Sequence, residues 1–386
     1  MSTLSPEQDL KLHVLANGIR IEPEAEEAWR EEYQGPVSLN EYASTSGICL
    51  KVEDGADGVY INAPYTQEFT RHADARLRYN GRFVVARADI EYDATVIPVP
   101  AFHKKTYTDN GIEYPYTNLG VTHTDRVRIS PIEGCGMVCK FCNIPYELRY
   151  RQKPEEELLR VIEIAKDDEQ APARHVLISG GTPKRKDEDW EDEIYESVIA
   201  NSPLPVDIMM TPRESPSYLR RLGAAGVNAL SINIEVFDPQ RAQKLIPSKN
   251  KRFGPQGYLD YIERAVDELG VGRIQSLILF GAAIEPIEST MQGVQALVDR
   301  GCIPVLSPFR PDPRTPMEND PPSTEAEMRE VYERTLEICE DSATGVKPGP
   351  RCVPCHHNTV TFSDGSDFYI PLDKDIRTPL NAAKPA

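Results

Sequence analysis

The chain has 386 residues, with 43 Lys and Arg against 61 Asp and Glu, a formal net charge of −18, and 40% of its residues are hydrophobic. That length supports roughly two to three domains, or one large α/β barrel with additions, and buries a core without disulfide staples. The acidic balance opposes a nucleic-acid or anionic-membrane partner, and with it an RNA-modifying role, because phosphate binding needs a basic face.

The opening MSTLSPEQDLKLHV lacks the basic and apolar regions of a signal peptide, and no run reaches the ~18 to 20 apolar residues of a spanning helix. A cytoplasmic protein without a membrane partner is expected. Residues 1–120 read as a β-rich or α+β domain, with an acidic helix near 22–33 and short strands at 58–62, 82–87 and 95–99 broken by Gly and Pro. From about residue 126 the pattern changes to β-branched runs at 126–132, 175–181, 206–211, 229–236, 273–281 and 303–309. Amphipathic stretches of helical length at 154–167, 192–201, 215–225, 239–246, 258–269 and 289–300 alternate with them. Gly226, Gly270 and Gly301 follow three of these helices, which suits the left-handed residue after a helix end. Six βα units in unbroken series predict an α/β fold, a partial (β/α)6 TIM-type barrel over residues 121–322, with a doubly wound sheet as the alternative. Residues 323–386 follow as a short C-terminal extension: a helix over 324–340, a loop carrying Cys352 and Cys355, and a hairpin turning at Asp364 and Gly365.

The eight cysteines are clustered, and in a reducing compartment they serve metal, catalysis or burial rather than disulfides. Cys49, Cys302 and Cys339 stand alone and read as bystanders. After the first barrel strand comes Gly134-Cys135-Gly136-Met137-Val138-Cys139-Lys140-Phe141-Cys142. A tight loop brings its three sulfurs to one side, where they can hold three irons of a cubane and leave the fourth open to a chelating ligand. Three structural cysteines, or a zinc with a fourth ligand from elsewhere, are the alternatives. The second strand ends in Ser179-Gly180-Gly181-Thr182-Pro183, whose glycines let backbone approach a ligand. In Ser231-Ile232-Asn233-Ile234-Glu235 the polar residues share one strand face. On the fifth strand either Gln275 or Ser276 points inward.

With these residues the chain resembles the radical S-adenosylmethionine (SAM) superfamily over about residues 120–320. Members of that family carry Cys-x3-Cys-x2-Cys with an aromatic before the third cysteine, here Phe141. The resemblance implies a [4Fe-4S] cluster held by Cys135, Cys139 and Cys142, with SAM chelating the open iron. It implies reductive cleavage of SAM to methionine and a 5′-deoxyadenosyl radical, with Phe141 near the adenine. Gly180, Gly181 and Thr182 would contact the SAM amino group, Thr182 standing where many members have Glu, so that this contact runs through backbone. The Ser231 to Glu235 stretch, flanked by Leu222-Gly223 and Ile246-Pro247, is similar to biotin synthase and lipoyl synthase and implies Asn233 and Glu235 at SAM or its ribose; a surface salt bridge is the alternative for Glu235. The segment Ser307-Pro308-Phe309-Arg310-Pro311 resembles the biotin synthase-like branch, and Arg310 is a candidate for a carboxylate or substrate anion, or else a surface arginine.

Near the C-terminus, Cys352-Val353-Pro354-Cys355-His356-His357 offers a Cys-x2-Cys half-site with two imidazoles. No second such pair exists outside the cluster motif, so a full auxiliary cluster domain is not expected. Three readings remain: a catalytic or substrate-binding thiol pair on a loop closing over the barrel mouth, a second metal (zinc or a small cluster) completed by His, or structural residues. The chain is thus expected to be a radical SAM enzyme acting on a small-molecule substrate in cofactor or natural-product biosynthesis. A flavodoxin or ferredoxin would supply the electron, docking near Lys140, Arg149, Arg151 and Lys153. The rivals are modification of a peptide or protein, aminocarboxypropyl transfer from SAM, and a non-catalytic iron-sulfur or zinc scaffold or sensor.

Overall fold

The computed structural model describes residues 4–33, 47–54, 58–215 and 217–362; the hairpin expected around Asp364 and Gly365 lies outside them. Six parallel strands form the central sheet: β1 (Arg126–Ile129), β2 (His175–Ile178), β3 (Val206–Met209), β4 (Ala229–Ser231), β5 (Ile274–Phe280) and β6 (Ile303–Pro308). Each pairs with its predecessor, in registers such as Arg126 with His175 and Gln275 with Ile303. A doubly wound sheet reverses its order at a switch point. This one does not, and it is a partial barrel. Several strands stop short of their expected C-terminal ends, where the chain leaves the sheet to build the site. An antiparallel edge strand, Gly120–His123, pairs with β1 and has no counterpart in the sequence pattern.

Helices Glu155–Lys166, Glu188–Asn201, Tyr218–Ala225, Gly254–Leu269 and Ile287–Val298 cover the sheet, and their apolar stripes join its outward-facing residues in one core. A second, six-stranded sheet orders Arg20–Ile21, Arg76–Tyr79, Phe83–Arg87, Ile90–Val96, Ile48–Val52 and Val59–Ala63. Helix Pro6–Asn17, which lacks an amphipathic period, lies against it. Every residue from Leu10 to Ala16 is buried, so no polar face exists for the period to reveal. Its neighbour Glu325–Asp341 begins with a capping box, Thr324 Oγ1 accepting from Glu327 N at 3.2 Å and Glu327 Oε2 from Thr324 N at 2.7 Å. Arg329 joins the two helices through Asp9 at 2.6 Å.

A partial barrel leaves two open edges, whose unpaired backbone groups need partners. On the edge strand, Thr122 N donates to His103 Nε2 at 3.2 Å. At the other edge Gly349 N donates to Pro304 O at 2.8 Å and Val360 N to Leu306 O at 3.1 Å. The additions at both ends of the chain therefore close the sheet. No helix of the described residues is long and apolar enough to cross a membrane.

Candidate functional site

The loop after β1 is held at its base by a two-residue ribbon, Ile132–Glu133 against Arg151–Gln152. Gly134 takes φ 72°, a left-handed conformation that L side chains rarely adopt, and a Cβ there would fall 2.8 Å from Leu148 O. Two walls then clamp the loop. On one, Thr182 N donates to Cys135 Sγ at 3.2 Å and Thr182 O accepts from Gly136 N at 2.7 Å. A Cβ on Gly181 would lie 1.7 Å from Gly134 O, and one on Gly180 would lie 2.2 Å from Ser130 Oγ. Gly181 is therefore required by the approach of the cysteine loop and Gly180 by the Ser130 side chain just after β1, and both backbone groups of Thr182 serve the cysteine loop. On the other wall, Lys140 N donates to Leu245 O at 2.8 Å and Val138 N to Ser248 Oγ at 3.2 Å.

Cys139 is buried, Cys135 and Cys142 half-buried. An apolar group including Val236, Leu245, Leu279 and Phe309 surrounds Cys139, with Phe141 and Cys142 at its rim. Burial pushes the Cys139 thiol well up, and the nearby Glu235 carboxylate and the other two thiols add to this; Cys142 rises to about 11, again chiefly through burial. Cys139 and Cys142, both pushed up in this apolar shell, become thiolates only when a cation neutralises them. That donor set fits a cluster with three protein ligands, and the N–H groups of Thr182 and Met137, the latter 3.3 Å from Cys135 Sγ, suit its sulfur-rich charge.

Beyond β4 the chain continues along the barrel interior. Asn233 Oδ1 accepts from Ser231 Oγ at 2.9 Å and from Leu277 N at 3.0 Å. Ser276 is fully buried on the helix side, where its Oγ accepts from Ile234 N at 3.0 Å. Gln275 on the opposite face is the inward residue. Glu235 adopts φ 61° and bridges to β5 through Leu277 O and Leu279 N, both at 2.9 Å. Its Oε1 lies 2.7 Å from Lys249 Nζ, while its Oε2 is buried with no hydrogen-bond partner among the described residues. The ribose of SAM presents hydroxyl donors of the kind this orphaned acceptor needs. Ser248 and Lys249, which complete this wall, carry no motif in the sequence; they sit in the short helix Pro247–Arg252 that starts at a proline.

Between the N-terminal elements and β1 runs a cavity of about 780 Å³, lined by Trp29, Tyr65 and His103 on one side and by Ser179, Gly180 and Gly181 on the other. Burial lowers His103 to about 4, and its Nε2 already accepts from Thr122 N, so the ring is neutral.

Not every expected residue converges here. Arg310 is fully buried, pointing away toward Asn62 O and Asn358 Oδ1, each at 3.2 Å, and burial lowers it to about 10. It braces the β6 end against both terminal additions and is not a surface arginine. Cys352 and Cys355 lie at the N-terminal ends of β1 and β2, beside Asp125 and His175. β1 alone spans four residues, about 13 Å, so the C-terminal loop does not close over the mouth that holds the three-cysteine loop. Arg151 is spent on Glu133 and stacks 4.8 Å from the Tyr114 ring, and Lys153 is buried against Asn118 O. Of the expected basic patch, Lys140 and Arg149 stay exposed, near Val138, Tyr146 and Leu148.

Residues 129–292 match the family described as the Radical SAM superfamily. Bacteriochlorophyllide c C-7(1)-hydroxylase from Chlorobaculum limnaeum is 24% identical over 136 residues, 35% of this chain; the match covers 33% of that relative, so this chain spans about a third of its length. Among solved structures, methylornithine synthase (PylB) matches with 18% identity and a TM-score of 0.46, over 59% of this chain and 64% of its own. A radical SAM methyltransferase from Sphaerobacter thermophilus matches with 16% identity and a TM-score of 0.42, over 69% and 71%.

Proposed function

We propose that this chain, whose residues 129–292 match the Radical SAM superfamily, is an enzyme in which Cys135, Cys139 and Cys142 hold a [4Fe-4S] cluster for reductive cleavage of SAM, acting on a small molecule in cofactor or natural-product biosynthesis. The observation that carries this is the double clamp on the three-cysteine loop: Thr182, in the loop after β2, on one side, Leu245 and Ser248 on the other. When bound, the cluster supplies the electron that generates a 5′-deoxyadenosyl radical from SAM. The chain's own residues then have separate tasks. Glu235 Oε2 and the amide of Asn233 bind the nucleoside, Phe141 and its apolar neighbours keep water from the cluster, and Gly180 and Gly181 let SAM and substrate meet at the cavity wall.

A cavity of about 780 Å³ falls in the range of small-molecule sites, which supports a small substrate over a folded protein. The division into residues 1–120, 121–322 and 323–386 belongs to the same reading, the first unit forming one wall of the cavity. An acidic one-electron donor of the flavodoxin or ferredoxin type would meet the exposed face carrying Lys140 and Arg149.

Anaerobic reconstitution followed by dithionite and SAM tests the proposal. Four irons per chain, lost on Cys139→Ser, and release of 5′-deoxyadenosine are expected. Methylthioadenosine in its place would indicate aminocarboxypropyl transfer, and the absence of any SAM cleavage product would overturn the enzyme reading.

A further inference from the structure

A second set of donors meets at the opposite end of the barrel. Asp125 immediately precedes β1, His175 opens β2, and Cys352 and Cys355 flank the first turn of the 3-10 helix Val353–Asn358, closed by Cys355 N donating to Cys352 O at 2.9 Å. All four side chains are buried, and one ligand atom from each lies within 4.8 Å of the others.

The separations have a specific meaning. Around a tetrahedral zinc with sulfur at about 2.3 Å and nitrogen or oxygen at about 2.0 Å, a sulfur and a light donor stand about 3.5 Å apart. Cys352 Sγ lies 3.4 Å from Asp125 Oδ1, Cys355 Sγ 3.6 Å from His175 Nε2, and His175 Nε2 3.5 Å from Asp125 Oδ1. The other imidazole nitrogen, Nδ1, faces Asp207 Oδ2 at 3.5 Å, and Asp207 is itself fixed by Asn228 Nδ2 at 2.7 Å. A carboxylate behind the imidazole is the arrangement that orients a metal-binding histidine. Both sulfurs share this buried point with the Asp125 carboxylate, and they can be thiolates together there only with a cation between them.

We propose that Asp125, His175, Cys352 and Cys355 bind one zinc ion in a closed tetrahedral site, independent of the iron-sulfur cluster. Four protein donors leave no open position, so the site is structural. Its placement gives the role: the segment 349–360 hydrogen-bonds the outer edge of β6 and, through its two cysteines, reaches the starts of β1 and β2. Zinc ties the last strand of an incomplete barrel to its first two. The adjacent imidazoles do not complete the site, since His356 Nδ1 meets Thr361 Oγ1 at 2.8 Å and His357 Nε2 meets Asn358 Nδ2 at 3.0 Å. The completing histidine comes from the barrel.

Metal analysis of the full chain purified anaerobically tests this without reference to SAM chemistry. One zinc per chain is expected beside the iron. It is retained when Cys135, Cys139 and Cys142 are all changed to Ser and lost when Cys352 and Cys355 are. Zinc-edge absorption of the unaltered protein should show two sulfur and two lighter ligands. Should the double cysteine variant fail to fold, Asp207→Asn weakens zinc by about 10-fold to 100-fold while keeping every ligand. Zinc that leaves with the cluster-loop cysteines, an edge spectrum without sulfur, or a zinc-free folded chain with a Cys352–Cys355 disulfide would each overturn the proposal.

Discussion

Glu235 and Lys249 form an ion pair at 2.7 Å in which both partners are largely buried, and Glu235 makes it from a left-handed backbone at φ 61°. A non-glycine residue there costs of order 1–3 kcal/mol unless its surroundings hold it. Here two backbone bonds to β5 and the lysine hold it, and they aim the carboxylate at the cysteine loop. Although burial alone would lower Lys249, Glu235 outweighs it and keeps the amine charged.

Replacing Lys249 with Met strands that carboxylate, and the unfolding free energy in urea is expected to fall by about 3–5 kcal/mol. Pairing it with Glu235→Gln removes the stranded charge and should restore part of the loss. A single variant within about 1 kcal/mol of the parent would show that the pair is solvated.

Gly181 and Gly180 make separable predictions. A methyl group on Gly181 meets a backbone carbonyl at 1.7 Å and cannot be relieved by a rotamer change, so Gly181→Ala should prevent the loop from seating and abolish iron incorporation. The obstacle at Gly180 is the Ser130 side chain, at 2.2 Å. Gly180→Ala should therefore lose iron less severely and recover in part with Ser130→Gly. Equal iron content in the two alanine variants would contradict this account of the glycine pair.

What the sequence disclosed follows from what is local in it. The six strands and the three-cysteine loop were legible because each is a contiguous pattern of period or spacing. The helix Pro6–Asn17 was not, because burial on all sides leaves it no polar stripe. Neither was the fourfold donor set around Cys352: Asp125 and His175 lie 50 residues apart and far from the cysteines, each a single polar residue at a strand start. The resemblance implied Glu235 and Asn233 at SAM or its ribose, but Ser248 and Lys249 became visible only once the cysteine loop was seated against them. Arg310 shows the converse, since a motif-like neighbourhood pointed to an anion while the fold turned its guanidinium toward Asn62 and Asn358.

Arg310→Met follows from that placement. Losing charge-assisted hydrogen bonds to Asn62 O and Asn358 Oδ1 should lower stability by about 2–3 kcal/mol. Iron content and the affinity for SAM, measured by titration of the folded variant, should stay as in the parent. A selective loss of SAM affinity without loss of stability would return Arg310 to the cofactor.

Lys11 links the N-terminal helix to the C-terminal segment by donating to His356 O at 2.9 Å and Thr361 O at 2.8 Å. Burial lowers its amine from 10.5 to about 7. Below about 7 both the folded and the unfolded chain carry the proton, and the group adds no pH dependence. Between about 7 and 10.5 the unfolded chain keeps a proton that the folded chain has released, so unfolding takes up a proton and rising pH favours the folded state. Other groups titrate in the same window, and comparison with Lys11→Met isolates this one. The difference in unfolding free energy, parent minus variant, should rise with pH across that window, by up to about 1.4 kcal/mol per pH unit, and level off above it. A difference that is flat, or that falls as pH rises, would mean that Lys11 stays charged in the folded protein.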